Sequence, residues 1–167
     1  MEFTVYARPH PQGSKTVMVT PQGRRNVVEQ NAKQVKSWRG AVVESAQDAI
    51  WEEHDGHDQG KCPLPYSGPV ALTVVFTLAR PASHYGTGKN RGRLKPSAPL
   101  APTGKNLGDL SKLVRATEDA LTDAGVWGDD SQVVSLTAVK AYANTHQKSL
   151  HLPGAWISVI EIERGSA

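Results

Sequence analysis

The length and composition of the chain fit one folded domain. It has 167 residues, of which 38% are hydrophobic and 21% charged, and its formal net charge is +3 at pH 7. No apolar run approaches the roughly 20 residues that a membrane-spanning helix needs, the first residues lack the pattern of a secretory signal, and the single cysteine cannot form an internal disulfide. These features disfavour membrane and disulfide-rich secreted proteins and predict a cytoplasmic protein.

The basic residues are clustered although the net charge is small. Residues 8–39 contain seven basic residues and a single acid, Glu29, and residues 80–95 contain five basic residues and no acid. Acids collect in residues 44–58 and 109–130. Clustered lysines and arginines bind nucleic acid by releasing the counterions condensed on its phosphates. The charge pattern therefore favours a polyanionic partner, with a solvated basic loop as the alternative.

The first third of the chain is predicted to form two strands and a long helix. Apolar and polar residues alternate over residues 3–7, which predicts a strand, and a short second strand is expected over residues 16–20. Apolar or small residues then recur at three- and four-residue spacing, which predicts a helix over residues 27–51 with one buried face. The segment 52–69 is rich in His, Asp, Gly and Pro and is predicted to be a loop.

The middle of the chain combines a strand with a long basic segment. Apolar residues alternate with period two over residues 70–78, which predicts a strand in the centre of a sheet. Residues 81–105 show no apolar periodicity and are expected to form a long, mobile, basic loop. Loops of this length within a compact domain are commonly functional.

The last third is predicted to contain a helix and two strands. Apolar spacing predicts a helix over residues 110–124, with Asp109 at the N-cap and Gly125 just past its end. A turn at residues 128–130 and strands over residues 133–142 and 156–162 follow. The element order predicts an α+β fold, or α/β with mixed strand directions: a single mixed sheet packed against two helices, in one domain spanning residues 1–167.

Three carboxylates in this region form the candidate metal site. Asp109 stands at the predicted helix start, and Asp129 and Asp130 stand at the turn before the next strand. A helix start and the entry to the following strand can meet at one end of a sheet, so these carboxylates are expected to converge. Magnesium prefers such hard oxygen ligands together with substrate phosphates. The alternative is structural, because aspartate is a preferred N-cap and a common turn residue.

Two short motifs carry a family resemblance. The first is DLSKLVR at 109–115, followed by DAL at 119–121, and the second is VWGDDSQVV at 126–134, followed by Lys140. Together they resemble the signature of the RusA family of Holliday junction resolvases, which runs Asp-x-Asp-Asn-Leu-x-Lys, then Asp-Ala-Leu, then Trp-x-Asp-Asp-Ser-Gln-Val-Val. The resemblance implies a homodimer that hydrolyses phosphodiesters of branched DNA with Mg²⁺, in a bacterial or phage-encoded protein.

The resemblance also assigns roles to individual residues. Asp109 and Asp130 match metal-binding aspartates, and Asp129 is a weaker third candidate. Ser111 replaces the second aspartate of the first motif, and Arg115 replaces its catalytic lysine. Arg115 keeps the positive charge and could clamp a phosphate with two hydrogen bonds; alternatively, it could pair with the acid one helical turn later, at position 119.

The remaining expectations concern DNA contacts and aromatic residues. Nine basic residues are predicted to contact DNA: Lys15, Arg24, Arg25, Lys89, Arg91, Arg93, Lys95, Lys112 and Lys140. Trp38 and Trp156 are expected in the core, and Trp127 is expected either to pack below the Asp-Asp turn or to act as a wedge at a branch point. His54, His57 and Cys62 lack an obvious fourth ligand, which disfavours a zinc site.

Three functions remain open at the level of sequence. The chain could be an active Mg²⁺-dependent resolvase, a junction-binding protein whose nuclease activity has lapsed with the change at Ser111, or a nuclease of the same fold that acts on flap or single-stranded DNA.

Overall fold

A mixed four-stranded sheet and two helices form the framework of the protein. The computed structural model describes residues 1–13, 15–19, 22–29, 31–53, 66–104 and 107–162, with only the backbone described at 15–19, 25–29 and 53. The disfavoured zinc ligands at positions 54, 57 and 62 lie outside these residues. None of the described helices combines the length and apolar character needed to cross a bilayer.

The elements follow one another along the chain in an order close to the predicted one. They are β1 (Glu2–Val5), β2 (Lys15–Val19), β3 (Arg25–Glu29), α1 (Ala32–Glu53), β4 (Val70–Leu78), α2 (Leu110–Asp123), β5 (Val133–Tyr142) and β6 (Gly154–Glu161). The sheet has the order β1-β6-β4-β5, in which β5 is parallel to β4 and the other neighbours are antiparallel. The predicted α+β fold and the central position of β4 are confirmed.

Both helices contribute to one core on the same face of the sheet. Alternate residues of β4, such as Leu72 and Phe76, are buried together with Trp38 and Val42 of α1 and Leu121 of α2. Because side chains alternate across a strand, the intervening residues of β4 point to the opposite face. The core therefore fixes α2 against the sheet, and with it the two segments that carry the candidate acids.

The predicted start of the first helix is wrong. Residues 27 and 28 belong to β3, which pairs with β2 in an antiparallel hairpin, and α1 begins five residues later. The β-branched valines of both strands favour extended pairing over a helix. Gly23 turns the hairpin at φ +76°, and Asn31 adopts φ +65° between β3 and α1, a left-handed conformation that Gly and Asn tolerate.

The predicted core position of Trp156 is also wrong. Its neighbours in β6, Ala155 and Ile157, are fully buried towards the helices, so Trp156 lies on the opposite face and is only partly buried. Its indole Nε1 donates to Glu2 Oε1 at 2.7 Å, and Lys148 Nζ lies 4.3 Å from the ring centroid. The tryptophan therefore stabilises a surface cluster rather than the core.

The long segment after β4 is a loop, as predicted, and it folds back on itself. Within residues 81–104, Gly86 N donates to Arg93 O and Lys95 N donates to His84 O, both at 2.9 Å. Short 3-10 turns at Ala82–His84 and Gly88–Asn90 lie within this returning path. The backbone hydrogen bonds give the loop a defined shape.

Two glycine substitutions test the packing of this framework. A Cβ at Gly154 of β6 would lie 2.1 Å from the carbonyl oxygen of Val5, whereas a Cβ at Gly40 of α1 would meet nothing within 4 Å. We expect Gly154→Ala to lower the free energy of unfolding by about 2–3 kcal/mol because backbone must move, and Gly40→Ala to raise it by about 0.5–1 kcal/mol. Urea denaturation measures both changes. Equal effects of the two substitutions would contradict the described approach of β6 to β1.

Candidate functional site

The start of α2 presents the first candidate carboxylate to solvent. Asp109 occupies the N-cap with extended backbone, but its side chain makes no capping hydrogen bond. It is 71% exposed and forms an ion pair with Lys112 at 3.2 Å. Just before it, Gly108 adopts φ +76°, and its carbonyl accepts a 2.7 Å hydrogen bond from Lys140 Nζ of β5. This bond places Asp109 near the carboxyl end of β5.

The two carboxylates of the Asp-Asp turn, Asp129 and Asp130, have different surroundings. Asp129 Oδ1 accepts a hydrogen bond from Ser131 N at 2.9 Å, which also lowers the pKa of Asp129. The side chain of Gln132 completes a capping box by accepting from Asp129 N at 3.3 Å, and its Oε1 also accepts from Gly128 N at 2.8 Å. Asp129 therefore shapes the turn, in agreement with the structural alternative for this residue. Asp130 is exposed at the start of the 3-10 turn.

Helix α2 holds Asp109 and Asp130 apart. Asp130 and Asp129 line a shallow cavity together with residues of the last two turns of α2, among them Asp119 and Asp123, whereas Asp109 precedes the first turn. At a rise of 1.5 Å per residue, the start of α2 and the part of α2 that lines this cavity are on the order of 15 Å apart along the helix axis. The expected convergence of three carboxylates is not found within one chain, and the described residues contain no metal-binding group of three or more His, Cys, Asp or Glu.

Glu118 of α2 has surroundings that raise its pKa. Burial raises its pKa, the charges of Asp130 and Asp119 raise it further, and Arg115 opposes the shift. Ser111, Arg115 and Glu118 follow one another at helical spacing along the same side of α2. This face therefore carries a cation and a carboxylate between the two candidate aspartates. The proximity of Asp130 to Glu118 could not be predicted from the sequence.

Arg39 of α1 is a site residue that sequence reasoning missed. Its guanidinium bridges Asp119 at 3.2 Å and also pairs with Asp123, and Gln12 Nε2 donates to the same oxygen of Asp119 at 3.3 Å. The carboxylate of Asp119 is thus bound by Arg39 of α1 and by Gln12 of the segment after β1. This differs from the alternative in which Arg115 pairs with Asp119. No local spacing could indicate this pair, because its partners are 80 residues apart.

The predicted DNA-contacting residues are distributed over three regions. Lys89, Arg91, Arg93 and Lys95 are exposed on the loop after β4, and the ammonium of Lys95 donates to Ser83 O at 2.8 Å. Arg24 is exposed in the turn of the β2–β3 hairpin. The side chains of Lys15 and Arg25 lie outside the described residues. Lys112 and Lys140 flank Asp109. The hydrogen bond from Lys140 to Gly108 anchors the segment before α2, a role that the sequence did not reveal.

Trp127 packs below the Asp-Asp turn, as the first of its two interpretations predicted. It is 1% exposed, and its Nε1 donates to Thr122 Oγ1 at 2.8 Å. Trp38 is buried as predicted and donates to Thr117 Oγ1 at 3.3 Å. A residue so deeply buried cannot reach a branch point without unfolding, which removes the wedge interpretation for Trp127.

The chain matches the model of a known protein family. The model of the family described as "Endodeoxyribonuclease RusA" matches residues 17–149. The matched region contains α2, the Asp-Asp turn and the basic loop. No curated protein matches the chain.

The environment of Glu118 predicts a pH-dependent stability. A carboxyl group whose pKa is raised on folding binds its proton more tightly in the folded state, so its contribution to stability is lost as pH rises through and above the ordinary glutamate range. We expect Glu118→Gln to raise the melting temperature at pH 7 and to leave it nearly unchanged at pH 4. The exposed Glu44 of α1 provides the control substitution Glu44→Gln, for which we expect little change. A lower melting temperature of Glu118→Gln at pH 7 would contradict the described electrostatics.

Proposed function

Because the chain belongs to the endodeoxyribonuclease RusA family, we propose that it cleaves Holliday junctions or similar branched DNA during recombination and repair. The observation that carries this proposal is the extent of the family match, which covers residues 17–149 and includes both motifs. The exposed Asp109 and Asp130 of those motifs are available for chemistry.

The charge distribution supports DNA as the partner. Residues 79–108 contain no Asp or Glu, and the basic side chains at positions 89, 91, 93 and 95 are exposed on this segment. A surface of this kind attracts phosphates without reading base sequence. The start of α2 adds the positive end of a helix dipole beside Lys112. Together they supply a route for a DNA arm towards Asp109.

We propose Mg²⁺ as the cofactor, with Asp109 and Asp130 as its protein ligands. Both carboxylates are exposed, whereas Asp129 is engaged in its turn, which makes Asp129 the weakest of the three candidates. The donor chemistry fits, because magnesium is usually held by one or two carboxylates, waters and substrate phosphates. The ion would supply charge stabilisation and an activated water for phosphodiester hydrolysis. One chain alone does not bring the two aspartates together.

A homodimer would overcome this separation. Strand β5 lies at the edge of the sheet and exposes Val134 and Leu136, at 62% and 49%, a pattern that favours pairing with another strand. If two β5 edges pair antiparallel about a two-fold axis, the entry of one strand lies beside the exit of the other. Asp130 precedes the entry, and Lys140 holds Gly108 and Asp109 near the exit. Each dimer would then contain two sites built from both chains.

Arg115 has the role of binding the phosphate. It is exposed on α2, between Ser111 and Glu118, and its planar guanidinium can donate two hydrogen bonds to one phosphate. Unlike the lysine of the family pattern, it cannot give up a proton at neutral pH. Arg115 would therefore position and neutralise the phosphate, while proton transfer falls to other groups or to water.

The change at Ser111 favours a second candidate function. A hydroxyl at this position removes one negative charge that the family pattern places at the start of α2. A protein that binds junctions tightly without cutting them would result if Asp109 and Asp130 alone hold the metal too weakly. This candidate shares the DNA surface with the first and differs in catalysis.

Cleavage of defined DNA substrates tests the proposal. Labelled four-way junction, flap and linear duplex are incubated with the protein at equal concentration, with Mg²⁺ and with EDTA. We expect paired cuts in opposed strands of the junction that require Mg²⁺. Binding without cuts would support the junction-binding alternative, and cleavage confined to flap or single-stranded DNA would support the nuclease of other specificity. Failure to bind any branched DNA would contradict the proposal.

The substitution Asp130→Asn tests the metal assignment. We expect at least a 100-fold loss of junction cleavage, because the change removes a ligand charge, and unchanged or tighter junction binding, because it also removes repulsion against phosphate. Asp48→Asn alters an exposed aspartate of α1 and serves as the matched control, with cleavage within about twofold of the unaltered protein. Normal cleavage by Asp130→Asn would remove this residue from the site.

A further inference from the structure

We propose that an open pocket in the loop after β4 binds one unpaired nucleobase of the DNA. The pocket has a volume of about 600 Å³ and is lined by Ala82, Tyr85, Gly86, Thr87, Gly88, Arg91 and Gly92. This volume lies within the roughly 300–1,000 Å³ typical of small-ligand pockets. The inference rests on the proposed action on branched DNA, and it adds a second contact that duplex DNA can make only by extruding a base.

The backbone around the pocket depends on its glycines. A Cβ at Gly86 would lie 2.6 Å from the carbonyl oxygen of Asn90, so a larger residue would force the two sides of the loop apart. Gly88 and Gly92 adopt φ +57° and +84° and have open space where a Cβ would stand. The glycines therefore allow the tight path of the chain and leave room beside Tyr85 and Arg91.

The chemistry of the lining suits a nucleotide. Tyr85 is the aromatic residue of the pocket, and a tyrosine ring can stack on any base because every base has a π face. Arg91 adds a guanidinium that can stack or bind the adjoining phosphate. The surrounding segment 79–108 is free of acids, so an anionic backbone is not repelled. An unpaired nucleotide presents both a flat base and a negative charge, which this combination matches.

The loop is anchored to the same end of the sheet as Asp109. Arg80 lies 3.9 Å above the ring of Tyr142, and the ring of His84 meets that of Tyr142 edge-on, with centroids 5.8 Å apart. Tyr142 is the last residue of β5, and Lys140, two residues earlier, binds the carbonyl preceding Asp109. A nucleotide in the pocket would thus lie close to the end of β5, near which Lys140 holds the segment that contains Asp109.

Branched DNA is the substrate class that supplies such a nucleotide. A base in a duplex is paired and stacked and must be extruded at a cost of a few kcal/mol, which is smallest for unpaired or mismatched bases. At a branch point the continuous stacking of the duplex is interrupted, so a base there is extruded at a lower cost. The pocket would therefore favour junctions over continuous duplex and help to place the branch beside α2.

Binding to two matched junctions tests the pocket. One four-way junction carries an unpaired thymine at the branch point, and the other carries an abasic sugar at that position. Affinities are measured in EDTA, so that cleavage does not interfere. We expect the unaltered protein to bind the thymine-bearing junction on the order of tenfold more tightly, which is the range of one base stacked on an aromatic ring.

Substitutions in and outside the pocket connect this preference to Tyr85. Tyr85→Ala should abolish the preference, and Tyr85→Phe should retain it. Tyr6, which is 57% exposed outside the pocket, gives the control Tyr6→Ala, which should retain it as well. If Tyr85→Ala does not fold, Thr87→Trp gives a second measurement. Position 87 is exposed and lines the pocket, so the indole ring of the new tryptophan should fill the pocket and abolish the preference.

The possible results separate the pocket from the proposed function. The pocket does not bind a base if the unaltered protein binds both junctions equally well, or if Tyr85→Ala and Thr87→Trp retain the preference for the thymine-bearing junction. In either case the proposed nuclease function stands. If the unaltered protein binds no branched DNA at all, both proposals fail.

Discussion

The rigid placement of α2 is the constraint on which the site depends. The inner side of this helix, including Leu113, Ala116 and Leu121, is fully buried against the core, and the hydrogen bond from Lys140 fixes the segment just before its first turn. Because an α-helix rises by a fixed distance per residue, its two ends cannot come together. The candidate aspartates therefore remain apart in one chain, which is why the proposed site requires pairing of the exposed β5 edges of two chains.

Electrostatic balance distinguishes the two ends of α2. At its start, Asp109 is accompanied by Lys112 and by the acid-free loop after β4, which favours the approach of phosphate. At its end, Asp119 and Asp123 are bridged by Arg39, while Glu118 and Asp130 raise the cost of further negative charge. This second region is acidic and repels phosphate more strongly than the start of α2 does. A catalytic site that needs both metal and phosphate gains from combining the two environments.

Local sequence signals predicted the elements and could not predict how their ends are arranged. The period-two pattern of β4 and the capped pattern of α2 were sufficient because each depends on neighbouring residues. The hairpin strand β3 was missed because Val28 also fits the helical pattern that continues into α1, and only pairing with β2 decides between them. Trp156 and Arg39 depend on sheet faces and partners distant in sequence. The same holds for the separation of Asp109 from Asp130, which arises from the direction of α2 along β5.

Mixed dimers test most directly whether two chains share each site. Protein carrying Asp109→Asn is combined with protein carrying Asp130→Asn under conditions that exchange subunits, and junction cleavage is compared with that of each variant alone. If each site takes Asp109 from one chain and Asp130 from the other, the mixed dimer contains one site with both aspartates. Junction cleavage should then rise from near zero, with cuts in only one strand. If each chain held its own complete site, every site would lack one aspartate, and mixtures in which subunit exchange is demonstrated would remain inactive.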